Sequence, residues 1–148
     1  MKLVNEAVRD IMLYLEQNLN HKTSDSVFEY STISYNVLAN ELTPSKFYTS
    51  DEVKYAVIQL KMAGYILANA PTGKNGRYLR CDVYEITPLG HELIENIRPD
   101  DIWQKVKNQA EKEGILSLTN LAKLCGSVTA AIANSSELEE NIVREFIG

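Results

Sequence analysis

The chain has 148 residues, of which 45% are hydrophobic and 24% charged, the composition of an ordinary globular domain. Fifteen Lys and Arg stand against twenty Asp and Glu, and the net charge of −5 excludes a surface that binds nucleic acid throughout, although it permits a local basic patch. Two cysteines do not make a disulfide framework, and no signal peptide or membrane-spanning stretch is recognisable, so we expect a cytoplasmic protein.

The first part of the chain predicts two helices. Apolar residues between Val4 and Leu19 recur with 3,4 spacing, which predicts an amphipathic helix capped by Asn5. The polar stretch 21–31 predicts a loop or a short strand. A second, shorter helix is predicted to begin near Ser34, and Thr43-Pro44-Ser45 closes it because the residue before proline avoids the helical region.

A third helix and a hairpin follow. Thr49-Ser50-Asp51-Glu52 fits a capping box, which predicts a helix over residues 50–63. Gly64 is placed to end this helix in the left-handed conformation. Residues 65–87 predict a hairpin, with Asn75-Gly76 as a tight-turn dipeptide inside it.

The rest of the chain has a helical pattern. Thr87-Pro88 begins a helix that Pro99 ends, and a further helix is predicted to stop near Gly114. Residues 117–134 and 138–146 predict two more helices. The first of these two is rich in alanine, serine and glycine, which let helices approach closely. It packs either on the first helix of its own chain or on a second copy, and we predict a homodimer through these C-terminal helices.

This order of elements is the layout of a winged helix-turn-helix, an α+β fold that is mostly helical. The second and third helices would form the helix-turn-helix, and the two-stranded hairpin would be its wing. We predict a winged-helix domain over residues 1–98 and a C-terminal helical extension over 99–148, which packs on that domain or mediates dimerisation. The link over 43–48 is longer than the usual turn of three or four residues.

Two stretches, YTSDEVKYAVIQLKMAGYI (48–66) and ITPLGHELIENIRPDDIWQKVK (86–107), resemble a family of short bacterial and prophage-borne proteins of unknown function. The resemblance covers about residues 1–124. Tyr55-Ala56 stands where the family has Tyr-His, and Ile86 stands where leucine is usual. The residues that match the family pattern are Leu60, Ala63, Gly64, Ile66, Thr87, Gly90, His91, Ile97, Arg98 and Trp103. The resemblance implies a winged helix and a role in phage or mobile-element regulation, and it supplies neither an enzyme activity nor an established ligand.

The outer face of the third helix offers mixed chemistry for DNA. Lysine and glutamine can read base edges, and hydroxyl groups can contact phosphates. The candidates for DNA binding are Ser50, Lys54, Tyr55 and Gln59. Asp51 would repel phosphate, and Ile58 and Met62 on an outer face suggest packing against the C-terminal helices or a partner.

The hairpin offers a stronger signal for phosphate. Five cations and no anion occur between Val53 and Cys81. A basic tip can lie along a phosphate backbone, although a charged loop also serves to protect a sheet edge. The candidates for DNA binding in the wing are Lys74, Asn75, Arg77, Tyr78 and Arg80.

No catalytic or metal site can be assembled. His91 begins a stretch like a zinc-protease motif, but Glu95 replaces the second histidine, so His91 and Glu92 are predicted on a helix surface. His21 has no partner in sequence, and Cys81 and Cys125 lack metal-binding spacing and are predicted as small buried groups. We expect no enzyme activity, no metal and no cofactor.

Two functions remain open. The leading hypothesis is a DNA-binding regulator of prophage or mobile-element type, with helix 50–63 in the major groove and hairpin 65–87 as the wing. The alternative is a non-enzymatic protein–protein interaction module on the same scaffold, supported by the acidic total charge. Double-stranded DNA, a second copy and a different protein are the partners considered, and no membrane partner is expected.

Overall fold

The computed structural model describes residues 1–44, 47–113, 123–124, 126–127 and 130–131. It has an α+β fold in which helices predominate. The predicted helices over 117–134 and 138–146, and the homodimer that they would form, lie wholly or mostly outside the described residues. The described elements are α1 (Asn5–Asn18), β1 (Lys22–Ser24), β2 (Val27–Glu29), β3 (Ile33–Ser34), α2 (Tyr35–Leu42), α3 (Ser50–Met62), β4 (Ile66–Asn69), β5 (Asp82–Ile86), α4 (Pro88–Ile97) and α5 (Asp100–Glu113).

Side-chain caps start three of the helices, and two of these caps, Thr49 and Thr87, were predicted from the sequence. The Ser34 hydroxyl accepts a hydrogen bond from the backbone N–H of Val37, and Thr87 serves α4 in the same way. Thr49 and Glu52 form the reciprocal capping box of α3. The prediction that Asn5 caps α1 is wrong, because Asn5 is already helical and the cap position, Val4, has no side chain that can accept a hydrogen bond.

The strands form two small antiparallel sheets. One contains β1 and β2, and the other has the strand order β3-β5-β4. The second strand of the predicted hairpin was expected over residues 79–87, but β5 is shorter and covers only Asp82–Ile86. The opposite strand ends at Asn69, and beyond it the two arms are joined by a hydrogen bond from the N–H of Leu79 to the carbonyl of Pro71 (2.9 Å) and by an isolated bridge between Thr72 and Tyr78.

The stretch 21–31, predicted as a loop or short strand, is the β1–β2 hairpin. Asp25 and Ser26 form its two-residue connection, with φ values of 50° and 66°. Two consecutive positive φ values are typical of the tight turn that matches the twist of paired strands. Glycine usually fills such positions, so the absence of glycine concealed this hairpin in the sequence.

One hydrophobic core joins the helices and the three-stranded sheet. The inner face of α1 contributes fully buried Val8, Ile11 and Met12, and α3 packs against both α1 and α2. The core also contains Trp103 and Val106 of α5, which are at most 1% exposed. The helix α5 lies in the predicted C-terminal extension. The first helix of that extension therefore packs into the same hydrophobic core as residues 1–98. The division at residue 98 stays a prediction.

Candidate nucleic-acid interface

The packing of α3 determines which of its side chains face outward. Val53, Ala56, Val57 and Leu60 are fully buried and hold one face of the helix against the core. The capping box fixes where the helix begins, so Ser50 is its first residue and is exposed. Consequently, the predicted contact residues of α3 lie away from the buried stripe.

The other predicted α3 residues are half-buried and have internal contacts. The Nζ of Lys54 lies 5.4 Å from the centroid of the Tyr35 ring on α2, which is a cation–π contact. Tyr55 packs against the edge of the core. The Gln59 amide nitrogen is 4.0 Å from the Met62 sulfur, a weak contact that leaves the amide available to a ligand.

Two residues assigned to the outer face of α3 pack against the core: Tyr55, as described above, and Ile58. Ile58 is half-buried and packs against the core. The buried face of α3 is therefore wider than its four fully buried residues. Met62 is 70% exposed, as predicted. The apolar surface of α3 is therefore confined to the C-terminal end of this helix, beyond Lys54.

The tip of the β4–β5 hairpin, the predicted wing, is a loop held by hydrogen bonds within its own backbone. The N–H of Gly73 donates to the carbonyl of Arg77 (2.8 Å), and the N–H of Gly76 donates to the carbonyl of Gly73 (3.0 Å). Gly76 has a φ of +71°, as predicted for the Asn-Gly turn. These bonds present a row of exposed side chains at fixed positions: Lys74, Asn75, Arg77, Tyr78 and Arg80.

The three wing cations differ in their local partners. The Nε of Arg80 lies 3.0 Å from a carboxylate oxygen of Asp82, so the charge of Arg80 is partly balanced within the wing. Lys74 and Arg77 form no ion pair with any residue that the structure describes. Their charges are therefore the more available ones for an external anion.

The two sequence stretches that carry the family resemblance meet in the fold. The Thr87 hydroxyl donates to the carbonyl of Gly64 (2.7 Å) and accepts from the N–H of Gly90 (3.1 Å). Trp103 donates its indole N–H to Glu6 of α1 (3.1 Å). Through these contacts Thr87 joins the start of α4 to the turn between α3 and β4, and Trp103 joins α5 to α1.

Sequence reasoning missed the surroundings of His21. Its Nδ1 accepts a hydrogen bond from the N–H of Ser31 (3.1 Å), and its Nε2 lies 3.5 Å from the carboxylate of Glu85. The ring also packs edge to face against Phe28 and Tyr30. No sequence spacing could have paired His21 with Glu85, since the two residues belong to distant segments that meet only when the hairpin docks on β5.

The histidine, glutamate and cysteine residues considered for catalysis or metal binding have the following positions. His91 and Glu92 are exposed on α4, as predicted, and Cys81 is buried, whereas Cys125 lies outside the described residues. Among the residues with described positions, no group of three or more His, Cys, Asp and Glu side chains is arranged to hold a metal ion. None of the helices in that part of the chain is both long and apolar enough to cross a membrane.

Comparison with known proteins identifies a family for this chain, but it gives no individual similar protein. No curated protein and no solved structure matches the chain. A family model described as "Hypothetical protein (DUF2513)" matches residues 2–116, which is more than half of the chain and includes both stretches of the resemblance. The chain therefore belongs to the DUF2513 family of hypothetical proteins.

Proposed function

We propose that this protein is a DNA-binding regulatory protein with a winged helix-turn-helix, of the type carried by prophages and mobile elements. The proposal is supported by the order of the helices and strands together with the positive charge of one loop. The helix pair α2–α3 is followed directly by the β4–β5 ribbon, and that ribbon ends in an exposed basic loop. A helix pair with an adjacent basic ribbon provides one element for the major groove and another for the phosphate backbone.

In this mode α3 enters the major groove and the hairpin 65–87 contacts the backbone. Gln59 would pair with adenine, and Lys54 would reach a guanine after leaving the Tyr35 ring. Ser50, at the N-terminus of α3, would donate its hydroxyl to a phosphate oxygen. The exposed Tyr78 would do the same from the wing. Contacts from wing cations position the protein on DNA rather than select its sequence.

The distribution of charge supports a small contact face. The whole chain has a net charge of −5, yet five cations and no anion lie between Val53 and Cys81. Asp51 at the start of α3 and Asp82 at the base of the wing border this cationic segment. We therefore expect few phosphate contacts and a modest dependence of binding on salt. The salt slope is the steepness with which the logarithm of the binding constant falls with the logarithm of the salt concentration, and each neutralised phosphate adds about one to it.

The test is selection from a pool of genomic fragments at moderate salt, followed by titration of the best fragment. An Arg77→Ala, Arg80→Ala double variant should bind that fragment more weakly and should lower the salt slope by about two. A matched control is the double variant Lys22→Ala, Lys105→Ala, which removes two exposed cations outside the proposed interface. The control should bind like the wild-type protein.

The outcome separates the assignments. Equal loss in the two double variants would mean that total charge, not the wing, governs binding. Absence of any preferred fragment would overturn the regulator itself. Retained preference with an unchanged salt slope in the wing variant would leave α3 as the reader and would remove the wing from the interface.

A second candidate is a protein–protein interaction module on the same scaffold. It is favoured by Met62, which is 70% exposed at the end of α3, and by Leu79 in the wing, which is 68% exposed. Large apolar side chains exposed on the surface are a feature of interaction sites where they form a contiguous patch. This candidate expects no preferred DNA fragment and a partner whose binding is lost in a Met62→Ser variant.

A further inference from the structure

The β1–β2 hairpin carries a cluster of aromatic rings that the proposed DNA interface does not use. Every residue of the two strands is exposed, so the hairpin projects from the body of the protein. Its rings continue onto a partly exposed tyrosine of β5. We define the aromatic face by four residues: His21, Phe28, Tyr30 and Tyr84.

The rings of the aromatic face support one another edge to face. Tyr30 lies at the centre, with ring centroids 4.9 Å from His21, 5.0 Å from Phe28 and 5.5 Å from Tyr84. The interplanar angles at these contacts run from 72° to 83°. Despite this packing, Phe28 is 55% exposed and Tyr30 is 52% exposed, so ring surface remains accessible to a ligand.

The aromatic face is also anchored. Ser31 donates its backbone N–H to His21, and the opposite nitrogen of that ring faces Glu85 on β5. Glu85 in turn accepts a hydrogen bond from the backbone N–H of Ile86 (2.9 Å). A surface that is held in place before binding loses little conformational entropy when a ligand arrives.

The charges around the aromatic face are mainly negative. Lys22 is paired across the hairpin with Glu29, and the two charges offset each other. Two further carboxylates are Asp25, in the exposed turn, and Glu85, which lies 3.5 Å from Nε2 of His21. Exposed rings beside carboxylates repel phosphate and attract cations, because the faces of aromatic rings carry negative potential.

We propose that the aromatic face binds an arginine-containing segment of a partner protein. The guanidinium would lie on the accessible surface of Phe28 or Tyr30, with Asp25 and Glu85 supplying opposite charge. Arg9 already makes this kind of contact inside the fold, with its guanidinium carbon 5.6 Å from the centroid of the Trp103 ring. The proposal does not depend on DNA binding, since it uses none of the residues of α3 or of the wing tip.

The test is an NMR titration of the full chain with a synthetic octapeptide of alternating glycine and arginine. The same peptide with citrulline in place of arginine is the ligand control, since citrulline has the same shape without the charge. The arginine peptide should shift amide signals of residues 21–31 and 84–85 in a saturable way. Phe28→Leu and Tyr30→Leu should each weaken binding about two- to five-fold, because leucine keeps the apolar surface and removes the ring.

Two further variants separate charge and ring effects from fold effects. Asp25→Asn keeps a residue that tolerates the φ of 50° at this position, and it should weaken binding and reduce its salt dependence. Val27→Ala changes an exposed residue of the same hairpin without removing a ring, and it should bind like the wild-type protein. Unshifted amide signals outside the hairpin show that each variant is folded.

Several results would overturn the proposal. Equal binding of the citrulline peptide would mean apolar docking without recognition of charge. A loss with Val27→Ala as large as the loss with Phe28→Leu would mean that the rings have no special role. Saturable shifts at the aromatic face with an oligonucleotide and none with the arginine peptide would assign the face to nucleic acid instead.

Discussion

The guanidinium of Arg80 lies 3.0 Å from the carboxylate of Asp82, measured from Nε to Oδ2. Arg80 is 63% exposed at its side chain and Asp82 is 28% exposed, so the pair sits at the surface where solvent weakens it. In the proposed DNA complex a phosphate would compete with Asp82 for the same guanidinium. Asp82 therefore acts against binding in two ways, since it occupies Arg80 and repels the phosphate.

Replacement of Asp82 should strengthen DNA binding. We expect Asp82→Asn to raise affinity for the selected fragment by about two- to five-fold, the range of a weak surface ion pair. The salt slope should become steeper, because Arg80 is then free to neutralise a phosphate. The measurement is fluorescence anisotropy over a range of salt concentrations.

Glu92→Gln is the control for net charge, because Glu92 is exposed on α4 and has no place in the proposed interface. If both variants strengthen binding equally, the effect comes from total charge alone. Weaker binding by Asp82→Asn would mean that Asp82 holds Arg80 in the orientation that DNA requires.

Gly90 should tolerate no side chain. A Cβ at this position would overlap the carbonyl oxygen of Tyr65 and lie 2.8 Å from Cγ2 of Ile86. The backbone of Tyr65 cannot move away easily, since its carbonyl also accepts a hydrogen bond from the N–H of Thr87 (3.2 Å). We expect Gly90→Ala to lower the free energy of unfolding by about 3 kcal/mol, the upper range for overpacking, as measured by urea denaturation.

His91→Ala is the control for Gly90→Ala, since it changes the next residue of the same helix at an exposed position. Alanine is a good helix former, so the control should change stability by about 0.5 kcal/mol or less. A Gly90→Ala variant as stable as the control would mean that α4 can move away from β4 without cost.

Local signals in the sequence predicted much of the fold. Ser34, Thr49 and Thr87 each accept a hydrogen bond from a residue three positions later, so a short window contains the whole interaction. Gly64 ends α3 with a φ of +83° for the same local reason. Such features depend on chemistry that neighbouring residues supply, and a single sequence reveals them.

The structure went beyond the sequence where contacts join distant segments. Spacing alone could not show that Glu85 faces His21 or that Tyr84 packs on Tyr30. The wing was predicted from its basic residues, but the pairing of Arg80 with Asp82 depends on how the strand enters the sheet. The site residues therefore stay a prediction from the sequence, whereas the balance of charges among them required coordinates.

Docking of α5 on α1 should depend on pH through Glu6. Burial raises the pKa of Glu6, but hydrogen bonds from Lys107 (2.8 Å) and Trp103 (3.1 Å) outweigh it and lower the pKa below its usual value. A lowered pKa means that the folded state favours the carboxylate, so this stabilisation is present above the ordinary pKa of about 4.3 and is lost as the pH falls.

Glu6→Gln should therefore cost about 1 kcal/mol of unfolding free energy near neutral pH, a small value because solvent screens a partly exposed pair. At acidic pH, where Glu6 becomes protonated in the folded state, the variant and the wild-type protein should approach equal stability. Urea denaturation at both pH values measures the difference. A constant difference at both pH values would mean that the packing of the side chain, not its charge, is responsible.

Cys81 should react slowly with alkylating agents and should limit stability at high pH. The thiol is fully buried, and this burial raises its pKa from 9.0 to about 11, so a folded molecule contains about a hundredfold less thiolate than an unfolded one. Because the folded state favours the neutral thiol, its contribution to stability is present below about pH 9 and is lost as the pH rises toward about 11. Alkylation by iodoacetamide, followed by mass mapping of the peptide that contains Cys81, should be much slower in buffer than in urea at the same pH, because the buried thiol is both inaccessible and less ionised. A Cys81→Ala variant should lose less stability than the wild-type protein over that alkaline range. Equal alkylation rates in buffer and in urea would mean that the segment around Cys81 opens readily, which would contradict its full burial in the core.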